Sequence, residues 1–253
     1  MKLTGNTILI TGGGSGIGRG LAEAFHKLGN EVVIAGRREH VLQATAAANP
    51  GMSYVVMDTQ DAASIAKATA QVMAEHPGLN VVINNAGVQR YIDFAKHYDD
   101  AKALEEINTN ILGVMRVTSA LLPQLRSQRD AVVVNVSSGL AFVPMARYPV
   151  YCASKAFVHS FSISLRHQLK ATGVRVVELA PPWVESDLHA THPPEGNPEP
   201  APGRGPMPLD AFIAAAIEEL GSGKDELAVA GAKFRYGAAV GEGAGTACLG
   251  MNG

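Results

Sequence analysis

"NTILITGGGSGIG" (6–18) runs a short β-branched segment straight into a cluster of glycines, and "GRGLAEAFHKLG" (18–29) follows with apolar residues at helical spacing. The first part reads as a strand and the last as a helix. Glycines between the two let the backbone turn sharply and come close to a phosphate. The helix N-terminus beyond them supplies unpaired N–H groups and the positive end of its dipole. Such a loop carries little weight alone. It gains weight from the strand before it, the helix after it and a repeated β/α series downstream. The spacing is Gly12-x3-Gly16-x-Gly18, with Ser15 and Ile17 inside it, and not the G-x-G-x-x-G of many dinucleotide sites. A purely structural turn is the competing reading.

The series does continue. "EVVIAG" (31–36), "SYVVMD" (53–58), "NVVINN" (80–85), "AVVVNVSS" (131–138) and "VRVVELA" (174–180) read as further strands, and "ELAVAG" (226–231) as a seventh. Most are apolar on successive positions, as a strand covered on both faces must be. Helical patterns lie between them at 39–48, 64–75, 100–128 and 151–173. The alternation predicts an α/β fold, a doubly wound, Rossmann-like parallel sheet of about seven strands with helices on both faces. No linker divides it, so residues 1–253 are expected to form a single domain.

Apolar residues make up 47% and charged residues 17% of the chain, so a large core is expected and disorder is not. The formal net charge of −2 argues against a nucleic-acid binder. Cys152 and Cys248 lie far apart, without metal-ligand spacing, so neither a disulfide framework nor a metal site is expected. The N-terminal apolar run is too short to span a membrane. These features predict a cytoplasmic protein with no membrane partner. Residues 189–208 hold seven of the fourteen prolines and interrupt the β/α rhythm. With the residues just before them they form a segment, 187–208, that reads as a substrate lid, against the alternative of an ordinary surface loop. The glycine-rich 237–253 reads as a flexible tail.

The end of the second strand chooses among nucleotides. An acidic residue there would bind a ribose 2′-OH. This chain has Gly36 followed by Arg37 and Arg38, which leave room for a 2′-phosphate and can pair with it. The arrangement favours NADP(H) with NAD(H) possible; two solvated arginines are the plain alternative. Asp58, ending the third strand, stands where a carboxylate can meet the adenine amino group.

"TGGGSGIG" (11–18), "NNAG" (84–87), "NILG" (110–113), "VSS" (136–138), "YCASK" (151–155) and "PPWVES" (181–186) occur in that order and spacing. Together they resemble the short-chain dehydrogenase/reductase family in its compact single-domain branch. "ELAPPWVES" (178–186) is similar to oxidoreductases associated with D-alanylation operons. The resemblance implies a nicotinamide cofactor and interconversion of an alcohol and a carbonyl. It implies a catalytic set of Asn110, Ser138, Tyr151 and Lys155, with Asn108 and Ser137 as weaker substitutes for the first two. It further implies cofactor contacts from Gly12, Ser15, Gly16, Ile17, Gly18, Asn85, Ala86, Gly87, Tyr151, Lys155, Pro181, Val184 and Ser186. Pro182 departs from the glycine usual in the family and removes a backbone donor. A homodimer or homotetramer, joined through the helices at 99–129 and 149–172, is implied as well.

"ARYPVYCASK" (146–155) contains two tyrosines. Tyr151 and Lys155 are spaced i, i+4 and share a helical face. Pro149 disfavours helix at Tyr148 and suits a first helical turn itself. Tyr151 is therefore the expected acid and Tyr148 a pocket residue. A nearby lysine cation should lower the phenol's pKa. Apolar candidates for the pocket, Leu140, Phe142, Val143, Tyr148, Trp183 and Leu188, suggest a hydrophobic ketone or secondary alcohol as the substrate. A catalytically silent NADP(H)-sensing protein is the rival reading. A sugar-nucleotide epimerase would need a larger C-terminal domain.

Overall fold

Seven strands share one sheet in a computed structural model that describes residues 1–186, 188 and 205–238. They are β1 (Thr7–Thr11), β2 (Glu31–Gly36), β3 (Ser53–Val56), β4 (Leu79–Asn84), β5 (Val132–Val136), β6 (Arg175–Ala180) and β7 (Glu226–Ala228). The order is β3-β2-β1-β4-β5-β6-β7 and every pairing is parallel. The connection reverses direction between β1 and β4, which opens a crevice at the carboxyl ends of these strands.

Successive apolar residues within a strand serve opposite faces. Ile8, Ile10, Ile34 and Val134 pack with Leu21 and Phe25 of α1 (Gly16–Lys27) and with Phe212 and Leu220 of α7 (Leu209–Gly221). Leu9, Val33, Val82 and Val133 face the other way. They meet Val72 of α3 (Ala62–Glu75), Leu121 of α5 (Val114–Ser127) and Leu165 of α6 (Pro149–Leu169). Further α-helices among the described residues are α2 (Glu39–Ala48), α4 (Asp100–Ile107) and α8 (Gly231–Ala238).

The helical pattern at 100–128 is not one α-helix. α4 passes into a π-helical segment, Asn108–Gly113, and then into α5. π geometry adds a residue to the turn and commonly marks a functional site; here the segment holds Asn110, which is fully buried. Strands also end earlier than their apolar runs. β5 stops at Val136, leaving Ser137 and Ser138 beyond the sheet, and β7 stops at Ala228. Most of the expected lid lies outside the described residues. Its described end is tied down: Met207 and Val184 form a parallel bridge, with hydrogen bonds Met207 N–H to Trp183 O (2.8 Å) and Glu185 N–H to Met207 O (3.0 Å). Gly237 and Ala238 close α8, and the rest of the expected tail lies outside the described residues. No helix among the described residues is long and apolar enough to cross a membrane.

Candidate active site

A cavity of about 930 Å³ opens over the carboxyl ends of β1, β2, β4, β5 and β6. One end is made of backbone. Gly12, Gly14, Ser15, Gly16 and Ile17 line it. Gly12 has φ +68°, a conformation that glycine adopts at little cost. Gly18 does not line the cavity; it packs the loop. A Cβ there would lie 2.2 Å from the Gly12 carbonyl oxygen and 2.4 Å from Asn85 Nδ2. Asn85 in turn donates to the Thr11 carbonyl (3.0 Å), while the Thr11 hydroxyl accepts from the backbone N–H groups of Asn85 and Ala86 (both 3.0 Å). The glycine loop and the "NNAG" turn are thus bonded to each other.

Ser15, the N-cap of α1, makes no side-chain cap. Its hydroxyl accepts from Arg38 Nη2 at 3.2 Å instead. The first-turn N–H groups of α1 are left for a ligand, and Arg37 and Arg38 line the wall beside them. This donor set fits a dinucleotide, with its pyrophosphate at the helix N-terminus. Asp58, expected at the adenine, does not line the cavity. Its carboxylate accepts the Gln60 N–H at 3.0 Å and closes a local turn, while its neighbours Met57 and Thr59 do line the wall.

The other end is made of buried side chains. Tyr148 is the residue before α6 and Pro149 its first, so the tyrosines separate as expected: Tyr151 lies on the helix and Tyr148 ahead of it. Both line the cavity. Ser138 stands beside Tyr151 on this wall, and its hydroxyl accepts the Leu140 N–H at 3.1 Å. Ser137 also lines the cavity, but its hydroxyl donates to the Glu178 carboxylate, which meets His159 Nδ1 at 2.7 Å. Lys155 Nζ donates to the Val136 carbonyl at 2.9 Å and lies 5.7 Å from the Tyr151 ring centroid. Asn110 does not line the cavity. Its Oδ1 accepts from Val88 N–H (2.9 Å), and its Nδ2 donates to Val88 O (2.9 Å) and Ser154 Oγ (3.0 Å). It clamps the strand-end loop against α6. One helical turn earlier Glu106 accepts the Arg90 N–H at 2.7 Å, and Arg90 pairs through two nitrogens with Glu105. Between the two clamps stands Gln89, a cavity residue whose buried Nε2 has no protein partner.

The expected lowering of the phenol's pKa is not what this geometry produces. Burial pushes Tyr151 well above the ordinary tyrosine range, the Ser138 hydroxyl opposes that, and Cys152 and Glu106 add to the rise. Burial also pushes Lys155 down, to about 8. Taking both groups out of water favours their neutral forms. Tyr151 therefore carries its proton at neutral pH.

The pocket wall also differs from the apolar set predicted. Leu140, Tyr148, Trp183 and Leu188 line it, but Phe142 and Val143 do not. Val143 is buried, and Phe142 packs edge-on against His159 and Tyr236. Pro181, Pro182, Val184 and Ser186 line the adjoining stretch, with Ser186 over Gly16. Gln89, Met145, Arg147 and Arg235 complete the wall and were not anticipated. Arg235 had no signal in the sequence, being a single cation just before the glycine-rich end.

The family model for short chain dehydrogenases matches residues 6–196, well over half of the chain. Over 190 residues the chain is 44% identical to an uncharacterized oxidoreductase, DltE, of Bacillus subtilis, covering 75% of each protein. It is 36% identical over 185 residues to a sulfoacetaldehyde reductase of Chromohalobacter salexigens, covering 72% of this chain and 73% of that one. Among solved structures, a short chain dehydrogenase from Burkholderia cenocepacia in complex with NADP superposes with a TM-score of 0.83 at 25% identity, covering 98% of this chain and 99% of the other.

Proposed function

The chain belongs to the short-chain dehydrogenase family, and from that premise we propose that it is an NADP(H)-dependent carbonyl reductase with Tyr151 as its general acid. The observation that carries this reading is that Ser138, Tyr151 and Lys155 line one cavity, with Lys155 Nζ 5.7 Å from the Tyr151 ring on the same helix. The bound nicotinamide would supply the hydride, and Gly14 to Ile17, Arg37, Arg38, Ala86, Val184 and Ser186 are the residues that would hold the dinucleotide.

The protein's own part is to hold an oxygen and move a proton. The Ser138 hydroxyl donates to the carbonyl oxygen, a bond that strengthens as negative charge develops there. Tyr151 gives its proton to the same oxygen. Lys155, within the same buried region, stabilises the phenolate left behind, which a phenol in an apolar pocket alone could not sustain. Asn110 acts at one remove, holding the Val88 backbone against α6. In the reverse direction the phenolate takes the alcohol proton. Leu140, Tyr148, Trp183 and Leu188 would shape the space for the substituents on the carbonyl carbon. The relative named as a sulfoacetaldehyde reductase supports a small carbonyl compound. Residues 187–208, which follow Ser186 in the sequence, are the proposed substrate lid.

A panel of aldehydes and ketones assayed with NADPH tests the reading. Tyr151→Phe should lower kcat/KM by about 10³-fold, within the range for loss of a general acid, while still binding NADPH. Tyr148→Phe should retain most of the activity. No turnover of any carbonyl by protein that binds NADPH would favour the sensing role instead.

A further inference from the structure

We propose, resting on the reductase reading, that the substrate is a carbonyl compound carrying an anionic group, recognised by Arg235 and Arg147 together with the amide of Gln89. All three residues line the same cavity as Tyr151. They reach it from different parts of the chain. Gln89 follows the "NNAG" turn, Arg147 precedes α6, and Arg235 is carried in by α8.

Arg235 is built into its place. Its Cδ would lie 3.0 Å from a Cβ on Gly139, so the side chain runs across the turn that follows Ser138. Its Nη1 donates to the Val143 carbonyl at 3.4 Å. The next residue, Tyr236, packs edge-on against Phe142 at 5.0 Å and pins the helix down. Burial lowers the pKa of this arginine, the sign of a cation partly withdrawn from water. Arg147 hydrogen-bonds the neighbouring Tyr148. Both guanidinium groups thus have protein contacts that orient them.

The described part of the wall is basic. Among the described lining residues there are five arginines and one lysine, and no aspartate or glutamate. Arg37 and Arg38 stand at the glycine-loop end, where a nucleotide phosphate would account for them. Arg90 is paired with Glu105. Arg147 and Arg235 stand with Ser138 and Tyr148, at the end where the carbonyl would react. A second, independent observation agrees with them. Gln89 is a buried amide with an unpartnered Nε2, held between the clamps made by Asn110 and Glu106. A buried donor without an acceptor costs about 1–3 kcal/mol. A carboxylate or sulfonate oxygen, reached by a turn of the side chain into the adjoining cavity, would supply that acceptor. An arginine fork matches such a group in geometry as well as in charge.

Matched pairs separate charge from shape: a 3-oxo or 4-oxo acid and its methyl ester, each assayed with NADPH at constant ionic strength. The acid should exceed the ester in kcat/KM by at least tenfold, roughly 1.4 kcal/mol. In Arg235→Gln that ratio should fall towards one, mainly through KM, and Arg235→Lys should restore part of it. Gln89→Leu should lower it by a smaller factor. NADPH binding, followed by cofactor fluorescence, reports that each variant is folded. Equal use of acid and ester, or a ratio unchanged in both Arg235→Gln and Arg147→Gln, would overturn the proposal. Failure to reduce any carbonyl, by protein that binds NADPH, would sink the reductase reading and this inference with it.

Discussion

The two ends of the cavity are built on opposite principles. At the glycine-loop end the walls are largely backbone and exposed arginine, with Arg38 bonded to Ser15 and Asn85 to the loop carbonyls. At the tyrosine end the walls are side chains, and they are buried: Lys155 is 5% exposed, Tyr151 6% and Ser138 8%. Backbone donors at a helix terminus cannot be lost by mutation and suit a ligand part common to many enzymes. Buried side chains stand in a low-dielectric setting, where charge is expensive and pKa values move. The first arrangement binds; the second can perform chemistry. Substitutions at the tyrosine end should therefore cost far more than those at the arginine end.

The largest effect on this contrast should come from Asn110→Ala. The change takes the partner from the part-buried Val88 N–H and Val88 O, and leaves Ser154 Oγ with its bond to the Tyr151 carbonyl alone; an unmet buried group is worth about 1–3 kcal/mol. We expect a loss of roughly 3 kcal/mol in chemical denaturation and a fall in kcat beyond what the stability loss explains. A fully stable, fully active variant would show that the buried network at this end is dispensable, and the contrast would dissolve.

At the arginine end the effect should be smaller and selective. NADPH should be preferred over NADH by at least about tenfold in kcat/KM, since a charge-assisted bond is worth about 1.5–3 kcal/mol before solvent weakens it. Arg37→Ala should remove most of that preference while barely changing the affinity for NADH. Arg38 also holds Ser15, so Arg38→Ala should disturb both cofactors. Equal use of NADPH and NADH by the native protein would mean that these arginines face solvent.

The smallest effect sharpens the dielectric side of the comparison. Burial raises the Glu106 carboxyl from 4.5 to about 7. Below 4.5 it is protonated in both folded and unfolded chains and exacts no penalty. Between 4.5 and about 7 the unfolded chain ionises first, so folding becomes less favourable as pH rises, and above that range the cost is complete. Glu106→Gln keeps an acceptor for Arg90 N–H and removes the charge. It should raise the melting temperature by about 2 °C or more at pH 8, the scale of 1 kcal/mol in a chain of this size, and change it little near pH 4.5. Equal shifts at both pH values would show that the Glu106 carboxyl titrates alike in the folded and unfolded chains.

Much of this molecule was legible in local pattern. The apolar runs predict the strands, Pro149 separates the two tyrosines, and the glycines announce a phosphate loop, because each rests on a preference of the backbone within a few residues. The motif order brings Ser138, Tyr151 and Lys155 to one wall, where the structure places them. Local pattern failed where the outcome depends on what packs across space. The 100–128 pattern reads as one helix, yet Asn110 is turned inward by a π segment whose partner, Val88, is distant in sequence. Phe142 and Val143 read as pocket residues because they are apolar and nearby, but packing on His159, Tyr236 and the core takes them out of it.

By itself the sequence determined the alternation of strands and helices, the parallel sheet, the glycine turn between β1 and α1 and the separation of the two tyrosines, because backbone geometry and hydrophobic period are local properties. Only the tertiary structure decided the ionisation of Tyr151 and Lys155 and the sign of charge in the wall. Both depend on burial and on groups gathered from distant segments, Arg235 from α8 and Gln89 from the turn after β4, and neither water exclusion nor such proximity can be read from spacing along a chain.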